Sequence, residues 1–196
     1  MECVPSSILH RRGCGEDCLN RASFYECDPT SCPAGNECSN QPIRRGEHQI
    51  SSLQVFHTGH CGYGVRAKTP ILPGTFIIEY IGEVISQLEV QRRMENEYKG
   101  WQDYYFLDYE HGYVIDAGLK GNISRFINHS CDPNCIVERW IVDGRSRVGI
   151  FARRFIPPGE ELSYDYNFDV FSIKDHGVAQ LCYCGAATCR KTISRR

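Results

Sequence analysis

Two groups of residues near the C-terminal end have types and spacings that could do chemistry. The segment from Arg125 to Cys131 reads Arg-Phe-Ile-Asn-His-Ser-Cys, which places amide, imidazole and thiol groups side by side. Further along the chain, Cys182, Cys184 and Cys189 form a tight array. Four thiolates suffice for a tetrahedral zinc site. A site split between one distant cysteine and three clustered ones could clamp the C-terminal tail over a ligand pocket.

The chain has 12 cysteines, which could form disulfides in a secreted protein or hold metal in a reducing compartment. The first residues lack the charged and apolar regions of a signal peptide, and the short gaps between cysteines favour tetrahedral coordination over bridges between neighbours. We therefore expect zinc at both ends, with a central domain between them. The N-terminal group comprises Cys3, Cys14, Cys18, Cys27, Cys32 and Cys38.

Length and composition indicate one well-packed domain with small satellites. The 196 residues are 41% hydrophobic and 23% charged, which are globular values, and no apolar run approaches the length of a membrane helix. The net charge of −2 argues against a protein that coats nucleic acid, although local pairs of arginines could touch phosphate. These pairs are Arg11 with Arg12, Arg44 with Arg45, Arg153 with Arg154, and Arg195 with Arg196.

Local patterns predict short strands and one helix. The run 76–81 follows a Pro-Gly turn and is rich in β-branched and aromatic residues, while 136–142 and 148–151 flank Asp143-Gly144 as a hairpin would. Ser86 followed by Glu89 fits a capping box. The helix that begins there would pack on the sheets through one face, formed by Leu88, Gln91, Met94 and Tyr98.

Five motifs in this order resemble the SET-domain protein lysine methyltransferases that carry flanking AWS (associated with SET) and post-SET zinc modules. The segment from Cys14 to Arg21 is similar to the branch that includes the Ash, NSD and Set-two enzymes. The motifs are Gly62-Tyr63-Gly64, Tyr104-Tyr105-Phe106, Arg125 through Cys131, Glu161 through Tyr166, and Cys182-x-Cys184-x4-Cys189.

The resemblance implies a mainly β SET-domain fold of several small curved sheets with few short helices. It assigns residues 1–45 to the AWS zinc module, 46–168 to the SET catalytic domain, and 169–196 to an autoinhibitory linker and post-SET zinc tail. It implies a nuclear, chromatin-bound enzyme that uses S-adenosylmethionine to methylate lysine thirty-six of histone H3 in nucleosomes. The implied partners are the nucleosome, its DNA through local basic residues, the histone H3 tail and an activating chromatin protein, with no membrane.

By the same resemblance, Tyr166 is the catalytic tyrosine, and Tyr104 borders the lysine channel. Tyr164 occupies a phenylalanine/tyrosine switch position, where tyrosine leaves less room for a third methyl group and implies mono- and dimethylation, as in Ash-type enzymes. Gly62 and Gly64 would let the backbone approach the cofactor. The implied cofactor-binding residues are Cys61, Gly62, Tyr63, Asp103, Tyr104, Arg125, Asn128, His129, Gln180 and Tyr183, with Arg125 bracing the site from behind.

The resemblance also assigns the zinc ligands, for two to three ions in all. Cys131 joins Cys182, Cys184 and Cys189 in the tail. In the AWS module Cys14 would be shared, with Cys27, Cys32 and Cys38 completing one site and Cys3 and Cys18 serving the other. Relatives begin with a Cys-x-Cys pair, whereas this chain begins Met1-Glu2-Cys3, so the occupancy of the second site is open. Cys61 and Cys135 remain as expected buried thiols.

Two other functions stay open. A zinc-built chromatin-binding module with an inactive centre is one, although the presence of Asn128, His129 and Tyr166 argues against it. A lysine methyltransferase that acts on another histone site or on a non-histone protein is the other. In similar enzymes the stretch 167–181 is a loop that covers the lysine channel, which implies slow turnover of free histone peptides.

Overall fold

The computed structural model describes residues 15–59, 61–101, 103–166 and 181–193. Within these ranges the chain is mainly β, as predicted, with short 3-10 turns between its elements. Its two helices are α1 (Leu19–Ala22) and α2 (Gln87–Glu95). Its strands are β1 (Leu53–His57), β2 (Tyr63–Ala67), β3 (Phe76–Glu79), β4 (Glu83–Ser86), β5 (Phe106–Asp108), β6 (Tyr113–Asp116), β7 (Asn128–His129), β8 (Cys135–Val142), β9 (Arg145–Ala152) and β10 (Ser163–Tyr164).

The strands form four small sheets. Strands β1 and β2 pair antiparallel, β9 lies between β3 and β8, and β6 lies between β4 and β5. The fourth sheet is a short parallel pair of β7 and β10. Because β5 is bonded only to β6, its other edge has no strand partner in the described part of the chain.

The predicted hairpin is confirmed as β8 and β9. Its turn residues Asp143 and Gly144 have φ angles of 51° and 69°. Positive φ at both central residues is the geometry of a type I′ turn, whose twist suits adjoining strands. The strand predicted over 76–81 also forms, but it ends at Glu79.

The predicted cap of α2 is confirmed, since Oγ of Ser86 accepts a hydrogen bond from the backbone N–H of Glu89 at 3.3 Å. The predicted apolar face is confirmed for Met94 and Tyr98 but wrong for Leu88 and Gln91, which are exposed. Leu88 is 76% exposed, whereas Val90 is buried and Met94 packs against the same cluster one turn later. No helix in the described ranges is long and apolar enough to cross a bilayer.

One large apolar cluster joins the sheets and fixes the strands that carry the site. It contains Val65 of β2, Ile78 of β3, Ile115 of β6, Ile150 of β9 and Tyr164 of β10. Tyr164 is therefore a core residue as well as a site residue. Strand β10 has only two residues, so the burial of Tyr164 in this cluster, and not its few backbone hydrogen bonds, holds it in place.

The N-terminal cysteine-rich module packs on the outer strand of the central sheet. Tyr25 forms a parallel bridge with Ile141 of β8. Next to it, the buried carboxylate of Glu26 accepts hydrogen bonds from the backbone N–H groups of Ile43 (2.6 Å) and Arg44 (2.9 Å). Burial raises the pKa of Glu26, and these bonds oppose the shift. The backbone pairing thus ties the module to the sheet, and the satisfied buried carboxylate joins two segments within the module.

A buried carboxylate holds α2 against β6. Asp116 is fully buried and accepts hydrogen bonds from Arg93 (2.7 Å), the Tyr98 hydroxyl (2.6 Å) and the backbone of Gly118 (2.8 Å). Burial, followed by the Asp116 charge, raises the pKa of Tyr98 to about 12, so the hydroxyl remains a donor. Arg93 supplies the balancing positive charge.

We predict that Arg93→Ala destabilises the fold by about 3 kcal/mol, because it leaves the Asp116 charge buried without its cation. Urea unfolding monitored by circular dichroism would measure the loss. Arg92→Ala is the matched control, since Arg92 is half-exposed and pairs only with surface glutamates. Equal losses for the two variants would show that Asp116 does not depend on Arg93.

Candidate active site

The parallel pair of β7 and β10 brings the two main sequence motifs together. Asn128 lies opposite Ser163, and His129 lies opposite Tyr164. The backbone N–H of Ser130 then donates to the carbonyl of Tyr164 at 3.1 Å. Residues far apart in the sequence thereby share one small surface.

Tyr166 lies at the centre of this surface. Its hydroxyl donates to the carbonyl of Ile127 at 3.0 Å, and its backbone N–H donates to Nδ1 of His129 at 3.1 Å. Its ring centroid is 4.8 Å from that of Tyr164 and 5.4 Å from the His129 imidazole. Burial raises the pKa of Tyr166 well above that of a free phenol. The hydroxyl is therefore a neutral dipole at neutral pH.

The imidazole of His129 connects Tyr166 to the cysteine cluster. Because Nδ1 accepts from the Tyr166 backbone, the neutral ring carries its proton on Nε2. Nε2 lies 3.4 Å from Sγ of Cys131 and can donate to it. Burial lowers the pKa of His129, although Asp165 opposes this shift. The neutral tautomer thus fits both contacts.

The four cysteines predicted for the tail site converge. The Sγ atoms of Cys131, Cys182, Cys184 and Cys189 lie within 4.8 Å of one another. Those of Cys131 and Cys182 are 3.7 Å apart, close to the spacing of about 3.8 Å that tetrahedral zinc thiolates require. Burial opposes ionisation of Cys184, but hydrogen bonds from backbone N–H groups and neighbouring thiols lower its pKa to about 6. The donor set therefore fits zinc.

A second contact fastens the tail beside Tyr166. The guanidinium of Arg190 donates two hydrogen bonds of 2.7 Å to the two carboxylate oxygens of Asp165. The backbone N–H of Arg190 also donates to Sγ of Cys131 at 3.4 Å. A bidentate pair of this kind fixes orientation as well as distance. The tail is thus held through a charge pair and through the thiols.

The described N-terminal cysteines also converge. The Sγ atoms of Cys27, Cys32 and Cys38 lie within 4.8 Å of one another, and Sγ of Cys18 is 3.6 Å from that of Cys27. Cys27 therefore has thiol neighbours on two sides. The remaining predicted ligands of this module, Cys3 and the shared Cys14, lie outside the described residues, so their assignments stay predictions.

The predicted cofactor wall consists of the start of β2 and the side chain of Asn128. Gly62 has a φ of +63°, a conformation that favours glycine. Nδ2 of Asn128 donates to the carbonyl of Tyr63 at 3.1 Å and to Oε1 of Glu161 at 2.8 Å. A Cβ atom on Gly64 would lie 2.6 Å from the same Oε1. Gly64 therefore makes room for Glu161, and its expected role in a close approach to the cofactor stays a prediction.

Arg125 connects two segments of the site through its guanidinium group, as expected. One terminal nitrogen donates to the carbonyls of Ala117 (3.0 Å) and Gly118 (2.8 Å). Its guanidinium lies 4.7 Å from the ring centres of both Tyr105 and Phe126. These contacts tie the turn before β7 to the end of β6.

In this region the expected burial of Cys61 is wrong, whereas the role given to Tyr104 beside the lysine channel stays a prediction. The ring of Tyr104 stacks on Phe106 and faces Tyr98 in a separate cluster, whereas the neighbouring Tyr105 packs with Phe126 and influences the pKa of Tyr166. Adjacent residues of an extended segment point to opposite sides, so the motif alone did not decide between them. Cys135 is buried as expected, but Cys61 is exposed.

The other predicted cofactor residues lie at the surface or outside the described chain. Asp103 is exposed and close to Gly62, while Tyr183 of the tail is 76% exposed. Gln180 and most of the predicted autoinhibitory stretch lie outside the described residues. A cofactor-binding role for each of these positions remains a prediction.

A cleft with a volume of about 550 Å³ is lined in part by Tyr166. One wall is β5, the opposite wall is the start of β8, and Tyr164 through Tyr166 line it as well. The open edge of β5 thus borders a cleft that reaches the Tyr166 ring. An extended peptide could pair with such an edge and send a side chain towards that ring.

The sequence analysis missed three residues that organise the site. Glu161 accepts from Asn128, Tyr105 packs beside Arg125, and Arg190 holds Asp165. Glu161 and Tyr105 lie within recognised motifs and Arg190 follows Cys189, but the motifs do not state which residues these three contact. Long-range pairing gives them their roles.

Of the eight arginines that suggested phosphate binding, four lie in the described part of the chain, and three of these form salt bridges within the protein. Arg44 pairs with Asp143, Arg45 with Glu47, and Arg154 with Glu160. Arg153 is exposed on the rim of the cleft. The remaining four, Arg11, Arg12, Arg195 and Arg196, lie outside the described residues.

Comparisons with known proteins match both the central domain and the N-terminal module. The chain is 44% identical over 183 residues to the histone-lysine N-methyltransferase ash1 of Drosophila melanogaster, covering 93% of this chain and 8% of that protein. It is 44% identical to ASHH2 of Arabidopsis thaliana (96% of this chain, 10% of that protein) and 42% identical to human SETD2 (96% and 7%), both histone-lysine N-methyltransferases.

The chain spans a tenth or less of the length of these relatives. The AWS domain family matches residues 10–46, which include the N-terminal cysteine cluster. The SET domain family matches residues 62–167, which include β2, the parallel pair of β7 and β10, and Tyr166. The chain therefore belongs to the SET-domain family.

Proposed function

We propose that this chain is the catalytic region of an S-adenosylmethionine-dependent protein lysine N-methyltransferase. Its proposed substrate is nucleosomal histone H3, its target is lysine thirty-six, and its products are the mono- and dimethyl forms. The observation that carries the proposal is the position of Tyr166, which lines the cleft and contacts His129, the neighbour of Asn128 in the chain. Methyl transfer requires a polar group of this kind at the point where the cofactor site and the lysine site meet.

The chemistry suits the groups present. S-adenosylmethionine supplies an electrophilic methyl group, which leaves the protein to align an amine nitrogen with it in line and to exclude water. Tyr166 offers a neutral hydroxyl and the carbonyl of Ile127 beside it. Oxygens of this kind can orient a lysine amine and contact polarised methyl hydrogens. A strongly basic side chain at this point is not required.

Asn128, Tyr63 and Gly62 would form the cofactor wall. Two features support this fit. The side-chain oxygen of Asn128 accepts no hydrogen bond from the described residues, and Gly62 has a left-handed backbone conformation that favours glycine. The cysteine cluster of the tail would hold zinc and close the pocket. Folding the tail and completing the pocket would then be one event.

The choice of histone H3 rests on the relatives and on the cleft. Proteins of Aspergillus fumigatus and Coccidioides immitis that are 42% and 44% identical to this chain are named as histone-lysine N-methyltransferases specific for H3 lysine-36. The cleft beside the open edge of β5 suits an extended, flexible tail. Nuclear localisation on chromatin, contacts with nucleosomal DNA and an activating partner protein belong to the same proposal.

We predict that the chain methylates recombinant nucleosomes and that replacing lysine thirty-six of H3 with arginine abolishes the signal. Tyr166→Phe should lower turnover by about a hundredfold or more, because the reacting amine loses its oriented hydroxyl. Mass spectrometry of the histone after reaction would identify the modified lysine.

The control for that experiment is calorimetry with S-adenosylmethionine, which Tyr166→Phe should bind as the parent chain does. Cofactor binding without methylation of any histone would favour a binding module with an inactive centre. Continued methylation after replacement of lysine thirty-six would move the target to another site.

We predict that the products stop at dimethyllysine, because the buried Tyr164 hydroxyl leaves less room beside the amine. Tyr164→Phe should shift the product distribution towards trimethyllysine, measured by mass spectrometry at matched turnover. Tyr105→Phe, which removes the hydroxyl of another tyrosine packed against the same core, serves as a control. A parent chain that yields mainly trimethyllysine would contradict the role given to Tyr164.

A further inference from the structure

The amide of Asn128 has one permitted orientation. Both neighbours of Nδ2, the carbonyl of Tyr63 and the carboxylate of Glu161, accept hydrogen bonds and cannot donate them. A flipped amide would place its oxygen against two other oxygens. The donors of Asn128 are therefore directed at the protein.

The carbonyl oxygen of the same amide is left for a ligand. Asn128 is partly exposed, and no described residue donates a hydrogen bond to its Oδ1. The open oxygen can bind only a group that carries N–H or O–H. It would not bind the carboxylate of an amino acid.

Backbone contacts fix the position of Glu161. Glu161 forms an isolated antiparallel bridge with Arg66 of β2, and the next residue, Leu162, donates to the carbonyl of Val65 at 2.7 Å. The side chain then passes Gly64, where any Cβ would lie 2.6 Å from Oε1. The missing side chain of Gly64 is thus what allows Glu161 to reach Asn128.

We propose that Glu161, with Gly64 beside it, is a positioning residue that presents Oδ1 of Asn128 to the α-ammonium group of the cofactor. This inference rests on the proposed function. The Glu161 carboxylate lies next to the amide, so its negative charge favours a cationic donor over the neutral amino group of adenine. The pair therefore sets which end of S-adenosylmethionine meets this wall.

The adjacent residue supplies a matched control. Glu160 accepts a hydrogen bond from Nδ2 of Asn134 at 2.8 Å, the same length as the bond between Asn128 and Glu161. Glu160 also pairs with the exposed Arg154. Both glutamates therefore hold an asparagine amide, but only one of these amides lies on the cofactor wall.

The test compares Glu161→Ala with Glu160→Ala by calorimetry. The probes are S-adenosylhomocysteine and its analogue without the α-amino group. Glu161→Ala should weaken binding of S-adenosylhomocysteine about tenfold, because the amide loses its anchor. Glu160→Ala should leave that affinity within about twofold of the parent chain, and neither variant should change binding of the analogue. Methylation by Glu161→Ala should show a raised KM for S-adenosylmethionine with kcat nearly unchanged.

A double-mutant cycle separates positioning from general damage. If Glu161 acts through the amide, Glu161→Ala adds no further loss of affinity in an Asn128→Ala background. Glu161→Gln keeps an acceptor oxygen and should recover most of the affinity. Additive losses, or equal losses for the two glutamates, would overturn the inference. Failure of the parent chain to bind either S-adenosylmethionine or S-adenosylhomocysteine would instead refute the proposed function.

Discussion

The site depends on the two contacts that the imidazole of His129 makes. One ring nitrogen accepts from the backbone of Tyr166, and the other faces the thiol of Cys131. A neutral histidine has one donor and one acceptor, so both contacts require one tautomer and one ring orientation. Displacement of the thiol cluster would therefore move the His129 ring and, with it, the backbone of Tyr166.

The rest of the architecture keeps that ring in place. The parallel pair of β7 and β10 sets the distance between His129 and Tyr166, and the main core buries Tyr164 so that this short pair cannot slide. The bidentate contact between Asp165 and Arg190 adds a second link from the tail to the same strand. The proposed cofactor wall, Tyr166 and the tail are thus parts of one unit.

Local patterns predicted much of the fold, because turns and caps are encoded by neighbouring residues. The hairpin at Asp143-Gly144 and the cap at Ser86 are examples. Roles that depend on distant pairing could not be predicted in this way. The motif does not say which side of the extended segment Tyr104 and Tyr105 face, and Glu161 meets Asn128 only when β2 lies beside it.

The central claim is that the cysteine cluster of the tail and the cofactor pocket form together. The most direct measurement is calorimetric titration of S-adenosylmethionine into the zinc-loaded chain, into the chain after chelation, and after zinc is restored, with zinc content and circular dichroism recorded on each sample. The account predicts that binding is lost with the tail zinc and returns with it. Undiminished binding to a folded chain whose tail site has lost its zinc would contradict it.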